Sequence, residues 1–311
     1  MRILVTGGAG FIGSHIADAA LERGHEVLVL DDLSSGKRSN VPAAATFAEV
    51  DLRDGKRVAE VVGSFRPEVI SHQGAQTSVA VSTREPIRDA DINVIGGIHL
   101  ANAAVAHKVK RLVFASTGGA IYGEVPEGTR AKEGDRTTPL SPYACSKLSF
   151  EGYLRYFAHE HGLASTVLRY ANVYGPRQDP HGEAGVVAIF AQRIKAKQPI
   201  QINAKREHGD DGCVRDYVYV ADVVRANLAA IDGKIEQPII NVCTGEATTT
   251  KMLADALLQE LGKGSEVKPG PRRAGDLERS VLDPSDFHGK LGPVTSLSDG
   301  LKKTARWFAE Q

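Results

Sequence analysis

One stretch near the start of the chain decides its fold: Val5-Thr6-Gly7-Gly8-Ala9-Gly10-Phe11-Ile12-Gly13-Ser14-His15. It follows a short apolar run and opens an amphipathic segment that extends to Arg23, which predicts a strand, a tight turn and a helix. Gly7 would permit the turn, and Gly10 would let the backbone approach a pyrophosphate. Gly13 would let the helix pack against the strand, with the anion on the N–H groups of the helix N-terminus. An ordinary glycine-containing turn is the alternative.

Composition narrows the class of protein. The chain has 311 residues, which suits two domains, and its 38 basic and 38 acidic residues leave no net field for nucleic acid or an acidic membrane. Its three cysteines, Cys145, Cys213 and Cys243, are far apart, which argues against a disulfide framework or a zinc site. The first residues already form a predicted core strand, and no apolar run reaches the length of about 18 residues that spans a membrane. We therefore expect a soluble cytoplasmic protein without metal, nucleic-acid or membrane partners.

Strand and helix patterns alternate through the first half of the chain. Strands are predicted at residues 26–30, 46–50, 69–71, 111–115 and 166–170, and helices at residues 11–23, 86–107 and 143–160. Fully apolar strands that alternate with helices are typical of a parallel sheet covered on both faces. The predicted fold class is α/β, a doubly wound parallel sheet of the Rossmann type with a smaller mixed α/β domain for the substrate.

An acidic residue ends the second predicted strand at the distance that the glycine motif requires. A carboxylate at Asp31 would accept hydrogen bonds from the adenosine ribose hydroxyls and repel a 2′-phosphate, which favours NAD over NADP. Lys37 and Arg38 downstream could reverse this preference, but the second acid, Asp32, opposes them. A solvated loop acid is the alternative. After the third strand, Asp51-Leu52 forms a weaker pattern that would bracket an adenine.

A second group of residues points to proton transfer. In Tyr143-Ala144-Cys145-Ser146-Lys147, the tyrosine and the lysine lie on one face of a predicted helix. The charge of Lys147 would lower the pKa of the Tyr143 phenol and make it a general base near neutral pH. Such a pair also arises by chance, but Ser141-Pro142 before it suits a helix start, and Ser116-Thr117 after the preceding strand offers a hydroxyl partner. An exposed helix pair is the alternative.

These motifs resemble those of the extended short-chain dehydrogenase/reductase family, on residues 6–15, on Ser116-Thr117 with Tyr122-Gly123, and on Tyr143-x-x-x-Lys147. Within that family the chain is similar to the UDP-glucose 4-epimerases, the UDP-hexose 4-epimerases of galactose metabolism. Three later motifs carry this closer likeness: residues 169–177 (RYANVYGPR), 214–217 (VRDY) and 272–277 (RRAGDL). The resemblance runs from residue 1 to nearly the end, and the later motifs are the informative ones because the glycine fingerprint occurs in many enzymes.

The resemblance implies an isomerase that interconverts UDP-glucose and UDP-galactose through a 4-keto sugar, with NAD as its bound cofactor. Tyr143 would be the catalytic base, Thr117 its hydroxyl partner, and Lys147 the group that holds the nicotinamide ribose. The residues implied at the dinucleotide come from the glycine motif and from several later segments: Gly7, Gly10, Phe11, Ile12, Gly13, Asp31, Asp32, Asp51, Leu52, Gly74, Ala75, Asn93, Tyr143, Lys147 and Tyr170. Those implied at the UDP-sugar are Thr117, Tyr143, Asn172, Arg215, Arg273 and Asp276, for which surface ion pairs of the two arginines are the alternative.

The resemblance also implies a domain organisation and a quaternary structure. Residues 1–170 would form the NAD-binding domain, with parts of about 214–243 added to it, and residues 171–311 would bind the UDP-sugar. The family commonly forms homodimers through helices like those predicted at 86–107 and 143–160.

Residues 268–273, basic and rich in proline, are predicted to be a loop.

The chain departs from the epimerase pattern at two places. The turn after the active-site strand differs, so Ser116 could take the role assigned to Thr117. Position 280, where family members place a residue that limits the sugar pocket, is serine, which suggests that UDP-GlcNAc and UDP-GalNAc are also accepted. Related 4,6-dehydratases carry carboxylates after the active-site threonine, whereas this chain has Gly118-Gly119, so dehydration or decarboxylation is a weaker alternative. A non-catalytic NAD-binding protein is a remote one.

Overall fold

The computed structural model describes residues 1–180, 185–262, 264–273 and 275–311 of the chain. Its strands are β1 (Arg2–Thr6), β2 (Glu26–Asp31), β3 (Thr46–Glu49), β4 (Val69–His72), β5 (Arg111–Thr117), β6 (Ala164–Tyr170), β7 (Asn172–Tyr174), β8 (Ile200–Asn203), β9 (Val214–Arg215), β10 (Tyr217–Tyr219), β11 (Ile239–Val242), β12 (Thr248–Thr249), β13 (Val267–Gly270) and β14 (Arg279–Ser280). Its helices are α1 (Phe11–Glu22), α2 (Gly55–Phe65), α3 (Val79–Arg84), α4 (Pro86–Ala90), α5 (Gly96–Ala106), α6 (Gly118–Ile121), α7 (Pro142–His161), α8 (Val186–Lys195), α9 (Val220–Ile231), α10 (Thr250–Leu261), α11 (Ser285–Leu291) and α12 (Leu297–Glu310).

Seven strands form one sheet in the order β11-β6-β5-β4-β1-β2-β3. Strand β1 pairs in parallel with β2 and β4, so that Leu4 lies opposite Leu28 on one side and Ile70 on the other. The pairs β2–β3 and β4–β5 are also parallel. The strand order reverses between β1 and β4, which is the switch point where open α/β sheets bind ligands. The predicted doubly wound parallel sheet is confirmed.

The sheet is central to the apolar core. The side chains of Ile3, Leu4 and Val5 in β1 have 0% exposure, because strands of a parallel sheet are covered on both faces. Leu4 belongs to one apolar cluster with Leu100 of α5 and Phe150 of α7. This burial holds the carboxyl ends of the strands in fixed positions, and those ends carry the polar residues of the candidate site.

The chain divides into two compact units. Unit 1 consists of Met1–Thr117, Ser141–Arg169 and Val224–Ile240, and unit 2 of Gly118–Leu140, Tyr170–Val223 and Asn241–Gln311. Residues 118–140 thus belong to unit 2, and residues 224–240 belong to unit 1. Residues 224–240 belong to unit 1 because they lead into β11, which is an edge strand of the seven-stranded sheet.

Unit 2 is built from short sheets and helices. Strands β7 and β10 form a parallel pair, while β9 pairs in antiparallel with β12 and in parallel with β14. Helices α8, α10 and α12 pack against one another, with Ala188, Ala191 and Phe308 in a buried cluster. These elements make unit 2 a mixed α/β structure.

The prediction of a loop at residues 268–273 is wrong for residues 268–270, which belong to strand β13. Strand β13 pairs in parallel with β8, and Pro269 lies opposite Ile202. Proline in an apparent strand normally argues against a strand, but it is tolerated at a sheet edge, and both strands of a two-stranded sheet are edges.

The long helix predicted at residues 86–107 is present in three parts. Pro86 occupies the first turn of α4, residues 91–95 form a π-helical turn, and α5 follows. A π-turn inserts one extra residue and frequently marks a functional position. Here it carries Asn93, which is 2% exposed.

Within the described ranges, no helix is both long and apolar enough to cross a membrane. Cys145, Cys213 and Cys243 are present as free thiols.

Candidate functional site

The glycine turn between β1 and α1 has the backbone geometry of a dinucleotide cradle. Gly7 has a φ of +64°, and a Cβ there would lie 2.6 Å from the backbone nitrogen of Gly74. A Cβ on Gly13 would overlap the carbonyl oxygen of Gly7, whereas one on Gly10 would lie 3.2 Å from that oxygen. The tight turn therefore requires glycine at positions 7 and 13. A side chain at either position would force the backbone to move.

The N-terminus of α1 provides the donors for an anion. The helix begins at Phe11, which is buried, and Ile12 is half-buried beside it. Gly10, the residue before the helix, supplies no side-chain cap. The first N–H groups of a helix lack partners within the helix, so this end is suited to a pyrophosphate.

Asp31 connects the end of β2 to the glycine turn. Its carboxylate accepts hydrogen bonds from the backbone nitrogens of Ala9 at 3.0 Å and Leu33 at 2.9 Å. Burial raises the pKa of Asp31, which is 7% exposed. Each carboxylate oxygen keeps a further acceptor position for a ribose hydroxyl. Asp32 differs, since its exposed carboxylate accepts from the backbone and hydroxyl of Ser34.

A buried threonine–histidine pair supports the other side of the turn, and the sequence reasoning did not single it out. Thr6 Oγ1 lies 2.7 Å from His72 Nδ1 and accepts a hydrogen bond from the backbone nitrogen of Gly74 at 3.1 Å. Burial, with the charge of Lys147 as a second cause, lowers the pKa of His72 to about 3. A neutral imidazole therefore fixes Thr6, and through it the backbone at Gly74 and the adjoining, half-buried Ala75.

The residues expected near the adenine have different environments. Leu52 is buried, and its Cδ1 would lie 3.2 Å from a Cβ built on Gly74. The Asp51 carboxylate forms an ion pair with Arg53 at 2.5 Å, and this hydrogen-bonded guanidinium lowers the pKa of Asp51. Leu52 thus borders the cradle, while the Asp51 carboxylate already has a cationic partner.

Asn93 joins three segments of unit 1. Its side-chain nitrogen donates to the carbonyl of Gln76 at 3.0 Å, to Ser146 Oγ at 3.1 Å and to Asp89 Oδ1 at 3.2 Å. Its oxygen accepts from the backbone nitrogen of Gln76 at 2.9 Å. These contacts tie the segment after β4 to α7, so the structure places Asn93 in a supporting network.

Tyr143 and Lys147 lie in the first turns of α7. The helix starts as expected, with Ser141 Oγ accepting from the backbone nitrogen of Ala144 at 3.2 Å and Pro142 at the first position. Lys147 Nζ donates to the carbonyl of Ala115 at 2.8 Å and lies 6.0 Å from the centre of the Tyr143 ring. The lysine ammonium is thus placed between the end of β5 and the phenol.

Burial decides the acidity of this lysine. Lys147 is 4% exposed, and its desolvation lowers the pKa of the ammonium to about 8, against the opposing charges of Asp89 and Glu151. A cation that remains charged near neutral pH beside a phenol stabilises the phenolate.

The two adjacent hydroxyls of β5 have different partners. Ser116 Oγ donates to Glu151 Oε1 at 2.5 Å, and Arg169 donates to both oxygens of the same carboxylate at 3.1 and 2.6 Å. Glu151 and Arg169 form a buried ion pair that the sequence reasoning did not identify. Thr117 lies one residue further on, at the carboxyl end of β5.

The residues expected to bind UDP lie in unit 2, together with Tyr170, which is 6% exposed at the end of β6. The backbone and the side-chain nitrogens of Asn172 donate to the carbonyl of Asp216 at 2.9 and 3.1 Å. Arg215 Nη1 donates to the carbonyl of Val214 at 3.0 Å. Pairing of β14 with β9 places Ser280 opposite Arg215.

The buried Asp216 organises this region, and the sequence reasoning did not assign it a role. Its carboxylate accepts from the backbone and hydroxyl of Thr244 and from the backbone nitrogens of Gly245 and Leu282. Desolvation raises the pKa of Asp216, and these hydrogen bonds oppose the shift. Asp216 therefore holds two loops beside Arg215.

The charges of Arg215 and Asp276 both act on the thiol of Cys213. Burial raises the pKa of Cys213, the charge of Arg215 lowers it, and the charge of Asp276 raises it. Arg273 is exposed, and its guanidinium contacts the side-chain amide of Asn203. Ala274, within the same motif, lies outside the described residues.

A glycine turn at the switch point of a doubly wound sheet, together with the Tyr143 and Lys147 pair on α7, defines a dinucleotide-binding protein of the short-chain dehydrogenase/reductase class. The chain belongs to the NAD dependent epimerase/dehydratase family, whose model matches residues 3–243.

Individual relatives extend this match over the whole chain. A UDP-glucose 4-epimerase of Mycolicibacterium smegmatis is 41% identical over 315 residues, 99% of this chain and 98% of that protein. The crystal structure of a Thermus thermophilus UDP-glucose 4-epimerase in complex with NAD has a TM-score of 0.95 and 52% identity, and covers 99% of both chains. That of a Thermotoga maritima UDP-glucose 4-epimerase with UDP-glucose has a TM-score of 0.92 and 47% identity over 100% of this chain and 99% of that one.

Proposed function

We propose that the protein is an NAD-dependent UDP-hexose 4-epimerase that interconverts UDP-glucose and UDP-galactose through a 4-keto sugar. The observation that carries this proposal is the buried ammonium of Lys147, held on the carbonyl of Ala115 at 2.8 Å beside the ring of Tyr143. This geometry occurs in a chain that matches UDP-glucose 4-epimerases over nearly its full length.

The residues of unit 1 fit NAD. The cradle at Gly7, Gly10 and Gly13 and the uncapped start of α1 would hold the pyrophosphate, and Asp31 would accept from the ribose hydroxyls. Leu52 and Gly74 would border the adenosine, and Lys147 would donate to the nicotinamide ribose. The remaining candidates of the cofactor set are Asp32, Asp51, Ala75, Asn93 and Tyr170.

The protein's own chemistry is proton transfer. Tyr143 would accept the proton of the sugar 4-hydroxyl and later return it, and Lys147 would stabilise the phenolate. Thr117 would share the hydrogen bond with the substrate oxygen, because the hydroxyl of Ser116 already donates to Glu151. The chemistry that bound NAD supplies is reversible hydride transfer at C4.

Unit 2 would hold the nucleotide. Arg215 and Arg273 can form forked hydrogen bonds with the diphosphate, and Asp276 can accept from a ribose hydroxyl. Asn172, fixed by two hydrogen bonds to Asp216, would contact the UDP part through its remaining polar positions.

Two features of the sequence bear on specificity. Gly118-Gly119 follows Thr117, so the positions that carry carboxylates in dehydratases have none here, which favours epimerisation over dehydration. Ser280 is 2% exposed and small, which supports acceptance of N-acetylhexosamines as well as hexoses.

We also propose that the protein is a cytoplasmic homodimer. Helices α4 and α7 and the π-turn between α4 and α5 expose large apolar side chains: Ile87 at 77%, Tyr156 at 51%, Ile95 at 45% and Tyr153 at 43%. These are the helices through which the family's dimers are expected to form, and pairing would remove this apolar surface from water.

The test is incubation of the purified protein with UDP-galactose, UDP-glucose, UDP-GalNAc and UDP-GlcNAc, with products resolved by chromatography. We expect conversion between UDP-galactose and UDP-glucose without added reductant. A 4-keto-6-deoxy product would indicate a dehydratase instead, and NAD binding without any sugar turnover would support a non-catalytic protein. Negligible turnover of UDP-GlcNAc beside active UDP-glucose would refute the N-acetyl proposal alone.

A further inference from the structure

The ammonium group of Lys147 lies in a site that gives it little solvation. The residue is 4% exposed, and Nζ has the carbonyl of Ala115 at 2.8 Å and the face of Phe114 at 4.9 Å from the ring centre. A buried ammonium needs a nearby negative charge to stay protonated. Two buried carboxylates act on it, Asp89 and Glu151.

Glu151 already has its own cation. Arg169 donates to both of its oxygens, at 3.1 and 2.6 Å, and the side chains of this pair are 1% and 4% exposed. Ser116 adds a third hydrogen bond. The charge of Glu151 is therefore largely compensated by Arg169, and little of it is left for Lys147.

Asp89 has no such compensation. It is 1% exposed, and its Oδ1 accepts only from neutral amides, Gln76 Nε2 at 2.6 Å and Asn93 Nδ2 at 3.2 Å. Its Oδ2 has no hydrogen-bond partner, and no ion pair involves Asp89 among the residues that the structure describes. A buried carboxylate in this state needs a positive charge nearby, and the cation on which it acts is Lys147.

We propose that Asp89 is the counter-ion of Lys147, a positioning residue that keeps the lysine charged and thereby sets the pH range in which Tyr143 and Lys147 work as a pair. This inference rests on the proposed function for its role in turnover. Asp89 is held for this task by Gln76 and Asn93, and Asn93 also donates to Ser146, the neighbour of Lys147. Asn93 thus joins the segment that carries Asp89 to the turn of α7 that carries Lys147.

The other ionisable groups around Lys147 do not replace Asp89. His72 of β4 stays neutral because burial lowers its pKa to about 3, and Arg169 of β6 is paired with Glu151. Tyr143, on the same helix as Lys147, carries a charge only when it has lost its proton. Within the described residues, Asp89 is therefore the anion near Lys147 that has no other cation as its partner. Removing its charge would leave Lys147 without a free counter-ion.

The direct test is the pKa of Lys147, measured by NMR from the pH dependence of its ¹³Cε shift in lysine-labelled protein and assigned with Lys147→Arg. In Asp89→Asn, desolvation acts without the opposing charge, so the pKa of Lys147 should fall by about 1 unit or more. Asp91→Asn, an exposed acid of the adjoining π-turn, is the matched control and should leave it unchanged. An unchanged Lys147 titration in Asp89→Asn would overturn the proposal.

Turnover provides a second readout. The alkaline limb of the kcat profile should move to lower pH by about 1 unit in Asp89→Asn, whereas a merely structural role would lower kcat without moving the limb. If Asp89→Asn does not fold, Asp89→Glu and Asp89→Gln provide two side chains of equal size, one charged and one neutral. The alkaline limb of the kcat profile should then lie at lower pH in Asp89→Gln than in Asp89→Glu. Identical limbs in that pair would also overturn the proposal. Absence of sugar turnover in the unmodified protein would refute the proposed function, while the NMR titration would still decide the role of Asp89.

Discussion

Ser116 of β5 donates a hydrogen bond to Glu151 of α7 across 2.5 Å, and both residues are buried. The adjacent Thr117 lies at the end of the same strand, so two neighbouring hydroxyls that look equivalent in the sequence have different roles in the structure. Ser116 stabilises the ion pair of Glu151 and Arg169, whereas Thr117 is the hydroxyl that we propose for the substrate.

This difference predicts opposite effects for two substitutions. Thr117→Val should lower kcat by about 100-fold, because the hydrogen bond to the reacting oxygen is lost. Ser116→Ala should retain kcat within a few-fold but destabilise the fold by about 1–3 kcal/mol, because Glu151 loses a buried donor. Steady-state kinetics and urea unfolding of both variants check this, and an active Thr117→Val with an inactive, stable Ser116→Ala would reverse the assignment.

Tyr143→Phe should retain NAD but lose turnover by about 1000-fold, since the general base is removed while the cradle is intact. NAD content of the purified protein and conversion of UDP-galactose are the two measurements. Tyr153→Phe, an exposed tyrosine of the same helix α7, serves as the control and should turn over normally. Near-normal activity of Tyr143→Phe would show that another group is the base.

Two glycine-to-alanine substitutions in helices should have opposite effects on the stability of the fold. Gly13→Ala should abolish NAD binding and lower the melting temperature, because its Cβ would overlap the carbonyl oxygen of Gly7. Gly152→Ala in α7 meets no atom within 4 Å and should stabilise the fold by about 0.5–1 kcal/mol through helix propensity. Thermal unfolding and NAD content distinguish the two, and a Gly13→Ala protein that binds NAD normally would contradict the close approach.

His72 should make the fold sensitive to mild acid. Burial lowers its pKa from 6.5 to about 3 in the folded protein, so below about pH 6.5 only the unfolded chain takes up this proton. Stability from His72 is therefore complete above its unfolded pKa and is lost as the pH falls toward its folded pKa, by about 1.4 kcal/mol per pH unit.

The measurement is the free energy of urea unfolding between about pH 7 and pH 5. His72→Asn, which can still accept from Thr6, should show a smaller decrease over this range than the unmodified protein. His159→Asn, with a side chain 84% exposed, should show the same decrease as the unmodified protein. Equal pH slopes in all three proteins would remove His72 from this role.

The exposed apolar side chains of α4 and α7 predict the dimer interface. Ile87→Arg combined with Tyr156→Arg should convert the dimer to a monomer, because two charges would be buried on association. Met252→Arg, which changes a side chain 54% exposed on α10 of unit 2, should leave the dimer intact. Sedimentation velocity measures all three, and a monomeric unmodified protein would refute the homodimer itself.

Much of unit 1 could be predicted from the sequence because its signals are local. Continuous apolar runs predicted the strands of the parallel sheet, and Ser141-Pro142 predicted the start of α7. The strand β13 was missed because Pro269 reads as a loop residue when its edge position is unknown. The return of residues 224–240 to unit 1 was only partly expected, since a strand that joins the edge of a distant sheet leaves no mark in its own periodicity.

The sequence by itself therefore determined the doubly wound fold, the glycine turn at Gly7 to Gly13 and the Tyr143–Lys147 pair, because each depends on residues close together in the chain. Only the tertiary structure decided which groups support them. His72 reaches Thr6, Arg169 reaches Glu151, and Asp89 acts on Lys147 only after the strands and helices have packed. The physical reason is that pairing and burial of charges depend on distances in space, and those distances are set by the order of strands in the sheet.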